Sequence, residues 1–354
     1  MSAIDRSRFE LGALADPTRF TGPIDLNAWP VDKLIPMLRM MLTIRTVEQR
    51  VAGLIEEGLA RCPCHLAIGQ EATAVGVSES LGRTDRVFGC HRSHGHYLAL
   101  GGNVYRLFAE ILGRVDGCSG GRGGSMHLVA HGIGFMGSTP IVAGTIPLAV
   151  GAALAAKKDG NGAVAVSYFG DGAGEEGVLH ESLNFASQFG LPVLFVCENN
   201  LFSSHLDICL RQPGDRIARF AEVHDISCRV VDGNDVVAVA EAARELVAGA
   251  RRGDGPGFLE AVTYRWCGHV GPKEDIDVGL RRKAADLAAW KKRDPIRRLA
   301  EALEQRSDLD QGAHEAMTAE VMIEIRRACD RAVQTPYPDE SALLDFVYAE
   351  PENR

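Results

Sequence analysis

Recurring apolar positions predict helices early in the chain. Apolar residues recur every three or four positions over residues 31–58, which predicts a helix that ends at a glycine. A second helix is expected over residues 70–81. Residues 1–30 contain three prolines and show no clear period, so we expect them to form an arm outside the core.

The central part of the chain alternates short apolar runs with helical patterns. The predicted strands are 163–169, 191–197, 228–231 and 258–266, and the predicted helices are 143–158, 179–189 and 235–252, the last capped by Asn234. A strand, a helix and a second strand within roughly 30 residues form a parallel unit. The expected fold class is therefore α/β, with a parallel sheet and helices on both of its faces.

The last part of the chain has a helical pattern from Leu280 onward, interrupted at Pro295 and near Asp308. We therefore expect three parts: an N-terminal arm (1–30), a central α/β domain (31–304) and a C-terminal helical extension (305–354).

Composition narrows the class of protein. The 38 Lys and Arg residues against 47 Asp and Glu give a net charge of −9, which argues against a nucleic-acid or anionic-membrane partner for the whole chain. No run approaches 18 apolar residues and the first residues form no hydrophobic signal, so we expect a cytoplasmic protein. The nine cysteines are scattered without a C-x-x-C pair, which predicts reduced thiols.

Two polar segments follow consecutive predicted strands of the first parallel unit. Asp171, between two glycines, comes directly after one strand, and Asn200 follows the next. Because ligands bind outside the carboxyl ends of parallel strands, these two oxygen donors are expected in one crevice. Such a pair suits a magnesium ion that bridges the protein to a diphosphate. The backbone N–H groups of Gly172 and Ala173 could also bind the phosphates.

The same segment has a competing interpretation. Residues 172–177 match the G-x-G-x-x-G pattern of dinucleotide-binding loops, and Glu198 follows at a suitable distance. However, a carboxylate such as that of Asp171 repels a pyrophosphate unless a cation lies between them. The metal interpretation accounts for Asp171 and the dinucleotide interpretation does not. A purely structural alternative is an acidic turn followed by an asparagine cap.

At these residues the chain resembles a known family. The segment from Gly170-Asp171-Gly172 to Asn199-Asn200 is similar to the thiamin diphosphate and magnesium motif, and the flanking segments resemble the α subunit of the E1 component of 2-oxo acid dehydrogenase complexes, including acetoin dehydrogenases. The similar segments span about residues 31–300 and are Cys64-His65-Leu66, Gly69-Gln70-Glu71, Arg92-Ser93-His94-Gly95, residues 121–127, residues 147–151 and residues 264–269. The resemblance implies a thiamin diphosphate-binding fold for residues 31–304.

The resemblance also implies roles for individual residues. It makes Asp171, Asn200 and the backbone carbonyl of Phe202 the Mg²⁺ ligands. It places His91, Arg92, Val142, Gly172, Ala173 and Arg265 near the cofactor, and His65, His94 and His269 as catalytic histidines, His269 also touching the cofactor. Imidazoles with a pKa near neutrality, as expected here, can move protons and stabilise the negative charge that develops on a substrate carbonyl oxygen.

Several alternatives for these residues stay open. Each arginine could instead form a surface ion pair. Histidines 91, 94 and 96 could form a metal cluster or belong to a solvated loop. The five glycines within residues 117–124 could make a merely flexible loop.

The implied activity is that of an oxidoreductase subunit. It would act in 2-oxo acid decarboxylation or acetoin cleavage and pass the acyl or active-aldehyde unit to an acceptor such as a lipoyl-bearing E2 protein. The expected partner is an E1 β subunit in an α2β2 heterotetramer, since the chain is too short to contain the pyrimidine-side domain as well. Alternatives are a thiamin-dependent carboligase without E2, an NAD-dependent dehydrogenase and a subunit that has lost catalysis.

At several positions this chain departs from the family pattern, which limits how far the substrate and regulation of family members apply to it. They are Cys267 in place of a histidine, Val270 in place of a phosphorylatable serine, residues 138–145, and residues 201–203. Regulation by phosphorylation at position 270 is therefore not expected.

Overall fold

A computed structural model describes residues 9–276 and 282–345 and shows a six-stranded parallel sheet. The strands are β1 (Arg86–Gly89), β2 (Phe135–Ser138), β3 (Ala165–Gly170), β4 (Val193–Asn199), β5 (Phe202–Ser203), β6 (Leu206–Asp207), β7 (Ser227–Asp232) and β8 (Gly257–Val262). The main sheet has the order β2-β1-β3-β4-β8-β7, and β5 and β6 form a small antiparallel hairpin. The predicted α/β class is confirmed.

Helices cover both faces of this sheet. They are α1 (Val31–Glu56), α2 (Glu71–Ser78), α3 (His94–Ala99), α4 (Val104–Ile111), α5 (Ile146–Asp159), α6 (Gly177–Gln188), α7 (Arg219–Glu222), α8 (Val236–Arg252), α9 (Ala284–Lys291), α10 (Pro295–Gln305) and α11 (Gln311–Gln334). In the described part of the chain, no helix combines the length and the apolar character needed to cross a membrane.

Side chains of the central strands alternate between two hydrophobic clusters. In β3, Val166 and Tyr168 pack with α1, α2 and α8, whereas Ala165 and Phe169 pack with α5 and α6. This alternation follows from the two-residue period of a strand. Because both faces of the strand are covered, every β3 residue from Ala165 to Phe169 is buried, and all of them except Ser167 are hydrophobic.

Several predicted boundaries and one cap differ from the structure. The sequence pattern missed β1 and β2, since four residues are too few to establish a period. The strand predicted over 258–266 ends at Val262. The cap of α8 is Asp235, whose carboxylate accepts the N–H groups of Val237 and Ala238, and not Asn234. The Asn234 amide instead donates to the Gly69 carbonyl at 2.9 Å.

The C-terminal helices close one side of the domain. Helix α11 packs against α1 and α4, and Arg39 of α1 forms ion pairs with Glu320 and Glu324 of α11. The division at residues 30/31 and 304/305 stays a prediction. The expectation that residues 1–30 lie outside the core is wrong for Ile24, Leu26 and Trp29, whose apolar side chains are buried in the main hydrophobic cluster. Residues 1–8, the predicted helix start at Leu280 and residues 346–354 lie outside the described residues.

Candidate active site

The predicted strand ends bring Asp171 and Asn200 together. Strands β3 and β4 are neighbours, with Gly170 paired to Glu198. Asp171 and Asn200, which come directly after these two strands, therefore lie at the same edge of the sheet. Both side chains line a cavity of about 170 Å³ at that edge. The juxtaposition expected from strand order is therefore present.

Most of the predicted site residues line this same cavity. They are His91, Arg92, Val142, Asp171, Gly172, Ala173, Asn200, Phe202 and His269. His65 and Arg265 contact residues of this lining: the His65 ring centre lies 4.6 Å from that of His91, and Arg265 donates to the Ser204 carbonyl. His94 is not part of the lining. A larger groove of about 510 Å³ runs between the start of α1 and α8, but its Lys33 and Arg251 already pair with Glu79 and Asp85.

The two consecutive asparagines have different environments. The Asn199 amide nitrogen donates to the Glu260 carboxylate at 2.7 Å and to the Asp215 carbonyl at 2.9 Å, so Asn199 holds the fold together. Asn200 faces the cavity, and its amide oxygen accepts the backbone N–H of Phe202 at 3.3 Å. The chain turns sharply between them and the β5–β6 hairpin, with Leu201 at a φ of 68°. This turn brings Phe202 to the cavity wall.

The Asp171 carboxylate has a cationic partner that the sequence analysis missed. Asp171 is buried, and Arg211, which follows the β5–β6 hairpin, forms ion pairs with both Asp171 and Glu175. Burial raises the pKa of Asp171, while the Arg211 guanidinium acts to lower it. Arg211 thus places a positive charge beside the carboxylate where a metal ion was predicted. No sequence signal marks Arg211, because 40 residues separate it from Asp171.

Buried polar groups without partners indicate that the cavity is shaped for a polar ligand. Gln70 lines the cavity and is 2% exposed, and among the described residues its amide oxygen and nitrogen have no hydrogen-bond partner. Such orphaned groups are costly unless a ligand or water satisfies them. A side chain at Gly172 would lie 2.6 Å from the Ser203 hydroxyl oxygen, so only glycine leaves this wall open. The carboxylate, amide and carbonyl oxygens of Asp171, Asn200 and Phe202 suit Mg²⁺.

Three histidines meet at the cavity, but not the three considered as a metal cluster. The ring centres of His65 and His91 are 4.6 Å apart, those of His65 and His269 4.9 Å, and those of His91 and His269 5.4 Å. The interpretation of histidines 91, 94 and 96 as one cluster is wrong. His94 bonds to Glu48, and His96 stacks on Tyr168.

The pKa values of the three clustered histidines are lower than the near-neutral values expected from the sequence. Burial, followed by the charge of Arg92, lowers the pKa of His65 to about 3, of His91 to about 2 and of His269 to about 4. The expectation of a pKa near neutrality is therefore not met for the ligand-free chain. At neutral pH the three imidazoles are uncharged, and each offers one N–H donor and one acceptor.

His94 is held in a closed network away from the cavity. Its Nδ1 lies 2.9 Å from the Glu48 carboxylate and its Nε2 lies 2.8 Å from the Ser125 hydroxyl, with the side chains of His94 and Glu48 fully buried. Burial acts to lower the pKa of His94, but the Glu48 carboxylate outweighs it and the pKa is raised. Both ring nitrogens are occupied, so a structural role fits this position better than contact with a substrate.

Arg92 and Arg265 are buried cations and not surface ion pairs. The Arg92 guanidinium donates to the Leu66 carbonyl at 2.5 Å, and Arg265 donates to the Ser204 carbonyl. Within the described ranges, neither lies within ion-pair distance of a carboxylate. Burial lowers the pKa of both groups, and Arg92 further lowers that of Arg265, to about 9. Two unneutralised buried guanidiniums are suited to an anionic ligand.

The glycine-rich segment is ordered by a buried carboxylate. Glu110 accepts the backbone N–H groups of Ser119, Gly121, Gly123 and Gly124 at 2.6, 2.9, 2.6 and 3.2 Å. The alternative of a merely flexible loop therefore does not hold. These N–H groups bind Glu110 from inside the protein and do not face the cavity lining.

Comparison with known proteins agrees with this geometry. The family model described as "Dehydrogenase E1 component" matches residues 39–341. The chain belongs to the dehydrogenase E1 component family.

Relatives within this family share most of the chain. The subunit alpha of acetoin:2,6-dichlorophenolindophenol oxidoreductase from Bacillus subtilis is 36% identical over 317 residues, covering 90% of this chain and 94% of the relative. The mitochondrial pyruvate dehydrogenase E1 component subunit alpha of Dictyostelium discoideum is 33% identical, covering 94% and 87%. The Cupriavidus necator acetoin oxidoreductase subunit alpha is 36% identical, covering 92% and 97%.

These comparisons bear on the alternatives left open by the sequence. The dehydrogenase E1 family resemblance is confirmed, and the relatives named above are α subunits. Neither the carboligase alternative nor the dinucleotide-binding interpretation of residues 172–177 gains support from this family match.

Proposed function

We propose that this chain is the α subunit of a thiamin diphosphate- and Mg²⁺-dependent E1 enzyme that cleaves a carbon–carbon bond next to a carbonyl group. The observation that carries the proposal is the pairing of Asp171 and Asn200 at adjacent strand ends, in a cavity that also holds Arg92. Membership of the dehydrogenase E1 component family supports it.

Each part of the cofactor has candidate binding groups in this chain. Asp171, Asn200 and the carbonyl of Phe202 would hold Mg²⁺, and Arg92 and Arg265 would neutralise the diphosphate charge. Gly172 and Ala173 lie in the 3₁₀ turn Asp171–Glu175, and their backbone N–H groups would donate to phosphate oxygens. Val142, which is 49% exposed and lines the cavity, would contact the organic part of the cofactor. When bound, thiamin diphosphate would supply the electron sink for bond cleavage.

The histidine cluster would act on the substrate oxygen. His65, His91 and His269 are neutral in the ligand-free chain, so each can donate a hydrogen bond to a carbonyl oxygen that gains negative charge. Binding of an anion beside Arg92 would raise their pKa values toward the range useful for proton transfer. His269 is held by its backbone N–H, which donates to the Asp275 carboxylate at 2.7 Å. We therefore retain His65 and His269 as catalytic candidates and assign His94 a positioning role.

The proposed assembly includes a second chain. Relatives named as α subunits support a partner β subunit, and we propose an α2β2 heterotetramer with a lipoyl-bearing E2 as the acyl acceptor. The substrate would be a 2-oxo acid such as pyruvate, or acetoin, as the names of the relatives indicate. Cytoplasmic location stays a prediction.

The decisive test measures cofactor binding by calorimetry. The tagged chain is isolated from its own lysate with any co-purifying partner, and thiamin diphosphate is titrated with and without Mg²⁺. We expect Mg²⁺-dependent binding that weakens by at least about tenfold in Asp171→Asn, since loss of a direct metal ligand should cost more than loss of an outer-shell partner. Asp254→Asn, an exposed aspartate paired with Arg252, is the matched control.

Either of two results would contradict the proposal. One is binding of thiamin diphosphate that is indifferent to Mg²⁺ and to Asp171→Asn. The other is binding of NADH with no binding of thiamin diphosphate, which would favour the dinucleotide interpretation. Once binding is established, a panel of pyruvate and acetoin with an artificial electron acceptor assigns the substrate.

A further inference from the structure

Two cysteines face each other on the segment that leads into the histidine cluster. The sulfur atoms of Cys62 and Cys64 are 3.8 Å apart across Pro63. All nine cysteines of the chain are free thiols in the structure. We propose that Cys62 and Cys64 form a reversible disulfide when the protein meets a hydroperoxide, which makes this segment a redox-modification site.

The geometry of the pair allows the bond with only a small movement. A disulfide requires about 2.05 Å between the sulfurs, so the two atoms must approach by somewhat less than 2 Å. Rotation about the side-chain bonds supplies a shift of this size. At present the sulfurs point to backbone carbonyls, Cys62 to Ile111 at 3.5 Å and Cys64 to Cys62 at 3.3 Å. These weak contacts cost little to give up.

The two thiols are suited to different steps of the oxidation. Cys62 is half-buried between the exposed residues Arg61 and Pro63, so a small peroxide can reach it, whereas Cys64 is buried. The hydrogen bond from Cys64 lowers the pKa of Cys62 to about 6, aided by the Ser125 N–H and by the charge of His94. The same contact raises the pKa of Cys64. Cys62 is therefore the thiolate and Cys64 the thiol that reacts second.

The chemistry balances with the peroxide as the sole oxidant. The Cys62 thiolate attacks one peroxide oxygen, the O–O bond breaks, and an alcohol or water leaves with a proton, giving a sulfenic acid at Cys62. The Cys64 sulfur then attacks the Cys62 sulfur, the S–O bond breaks and water leaves. Two electrons pass from the two thiols to the peroxide. A dithiol reductant restores the two thiols by thiol–disulfide exchange and is itself oxidised to a disulfide.

The position of the pair would transmit the change to the site. Cys64 directly precedes His65, and the Cys64 carbonyl accepts the N–H of Gly271 at 2.9 Å, in the segment that carries His269. On the other side, a side chain at Gly124 would lie 3.1 Å from the Cys62 β-carbon, so the glycine-rich segment packs directly on this cysteine. The bond itself does not depend on the proposed function.

The experiment is peptide mass analysis of the purified full chain, with any co-purifying partner. Reduced protein receives one equivalent of hydrogen peroxide and is then alkylated. We expect the peptide with both cysteines to lose two hydrogen atoms, to resist alkylation and to recover both thiols with dithiothreitol. Cys64→Ser should instead yield a sulfenic acid at Cys62 that dimedone traps, and Cys62→Ser should leave Cys64 reduced.

Cys118 supplies the matched control, because it is also half-buried but its pKa is raised to about 11. Before oxidation, iodoacetamide at pH 7 should alkylate Cys62 about fiftyfold faster than Cys118, because the gain in thiolate outweighs the loss in nucleophilicity. The proposal is overturned if peroxide leaves both thiols of wild-type protein free, or if Cys64→Ser traps no sulfenic acid at Cys62.

Discussion

The buried carboxylate of Glu110 should stabilise the glycine-rich segment 117–124, and substitution of Glu110 tests this role. Two N–H groups bond to each of its oxygens, and the side chain is fully buried on α4. In Glu110→Gln one oxygen becomes an amide nitrogen that cannot accept, so two of the four N–H groups lose their partner. Each hydrogen bond to a charged group is worth about 1.5–3 kcal/mol. The segment 117–124 should therefore lose at least about 3 kcal/mol of local stability.

Hydrogen exchange followed by mass spectrometry measures this loss directly. A local stability change of about 3 kcal/mol corresponds to opening more than a hundredfold as often, since about 1.4 kcal/mol is a factor of ten. Peptides covering residues 117–124 should exchange faster by that factor in Glu110→Gln, and peptides covering β4 should not. The control is Glu245→Gln on α8, which alters an exposed ion pair between Glu245 and Arg229.

Two exchange results would contradict the proposed role of Glu110. If exchange over residues 117–124 changes by less than about threefold while the variant folds normally, the four N–H groups find other acceptors, and Glu110 does not order the segment. A uniform acceleration that includes β4 would mean that Glu110 supports the whole domain and not this loop.

Two further predictions concern stability. Glu48→Gln should lower the free energy of unfolding by about 3 kcal/mol, because it breaks the buried pair of Glu48 and His94. Since folding raises the pKa of His94, the loss of stability should be full below about pH 6.5 and should shrink as the pH rises through the folded pKa. Denaturant titrations of the wild-type and variant proteins from pH 5.5 to 9 measure this pH dependence. Gly69→Ala should destabilise the chain by more than about 2 kcal/mol, because Gly69 has a φ of 95° and a β-carbon would lie 2.7 Å from the Tyr264 carbonyl oxygen, whereas Gly151→Ala, with open space around it, should be neutral or stabilising. Equal effects of the two glycine substitutions, or a pH-independent effect of Glu48→Gln, would contradict the respective argument.

The parts of the fold that the sequence predicted are those with strong local signals. Strands β3 and β4 are buried on both faces, so each reads as an apolar run, and the intervening helix has a clear period. Strand order then places Asp171 beside Asn200 without further information. By contrast, β1 and β2 are four residues long, and the polar segments around them hide the pattern.

Site features that depend on distant partners could not be predicted. Arg211 reaches Asp171 across 40 positions, and Glu48 reaches His94 across 46, with no motif linking either pair. The pKa shifts of the histidines also depend on the surrounding fold. Burial acts to lower the pKa of both rings; at His65 the charge of Arg92 lowers it further, whereas at His94 the Glu48 carboxylate outweighs burial and the pKa rises. Residue type and spacing alone do not predict the direction of either pKa shift.

Net charge and local charge lead to different conclusions about the ligand of this protein. The chain carries −9 overall, which argues against a polyanionic partner, yet the cavity at the strand ends has Arg92, Arg265 and Arg211 within or behind its wall. Of these, only Arg211 is paired with carboxylates among the described residues. Burying the other two without a counter-charge is costly in the ligand-free chain, and an anionic ligand removes that cost. Asp171 would repel the same anion, so Arg211 or a metal ion must neutralise it first. The electrostatics of the cavity therefore favour joint binding of a cation and a small anion, which is the form in which Mg²⁺ and a diphosphate would enter.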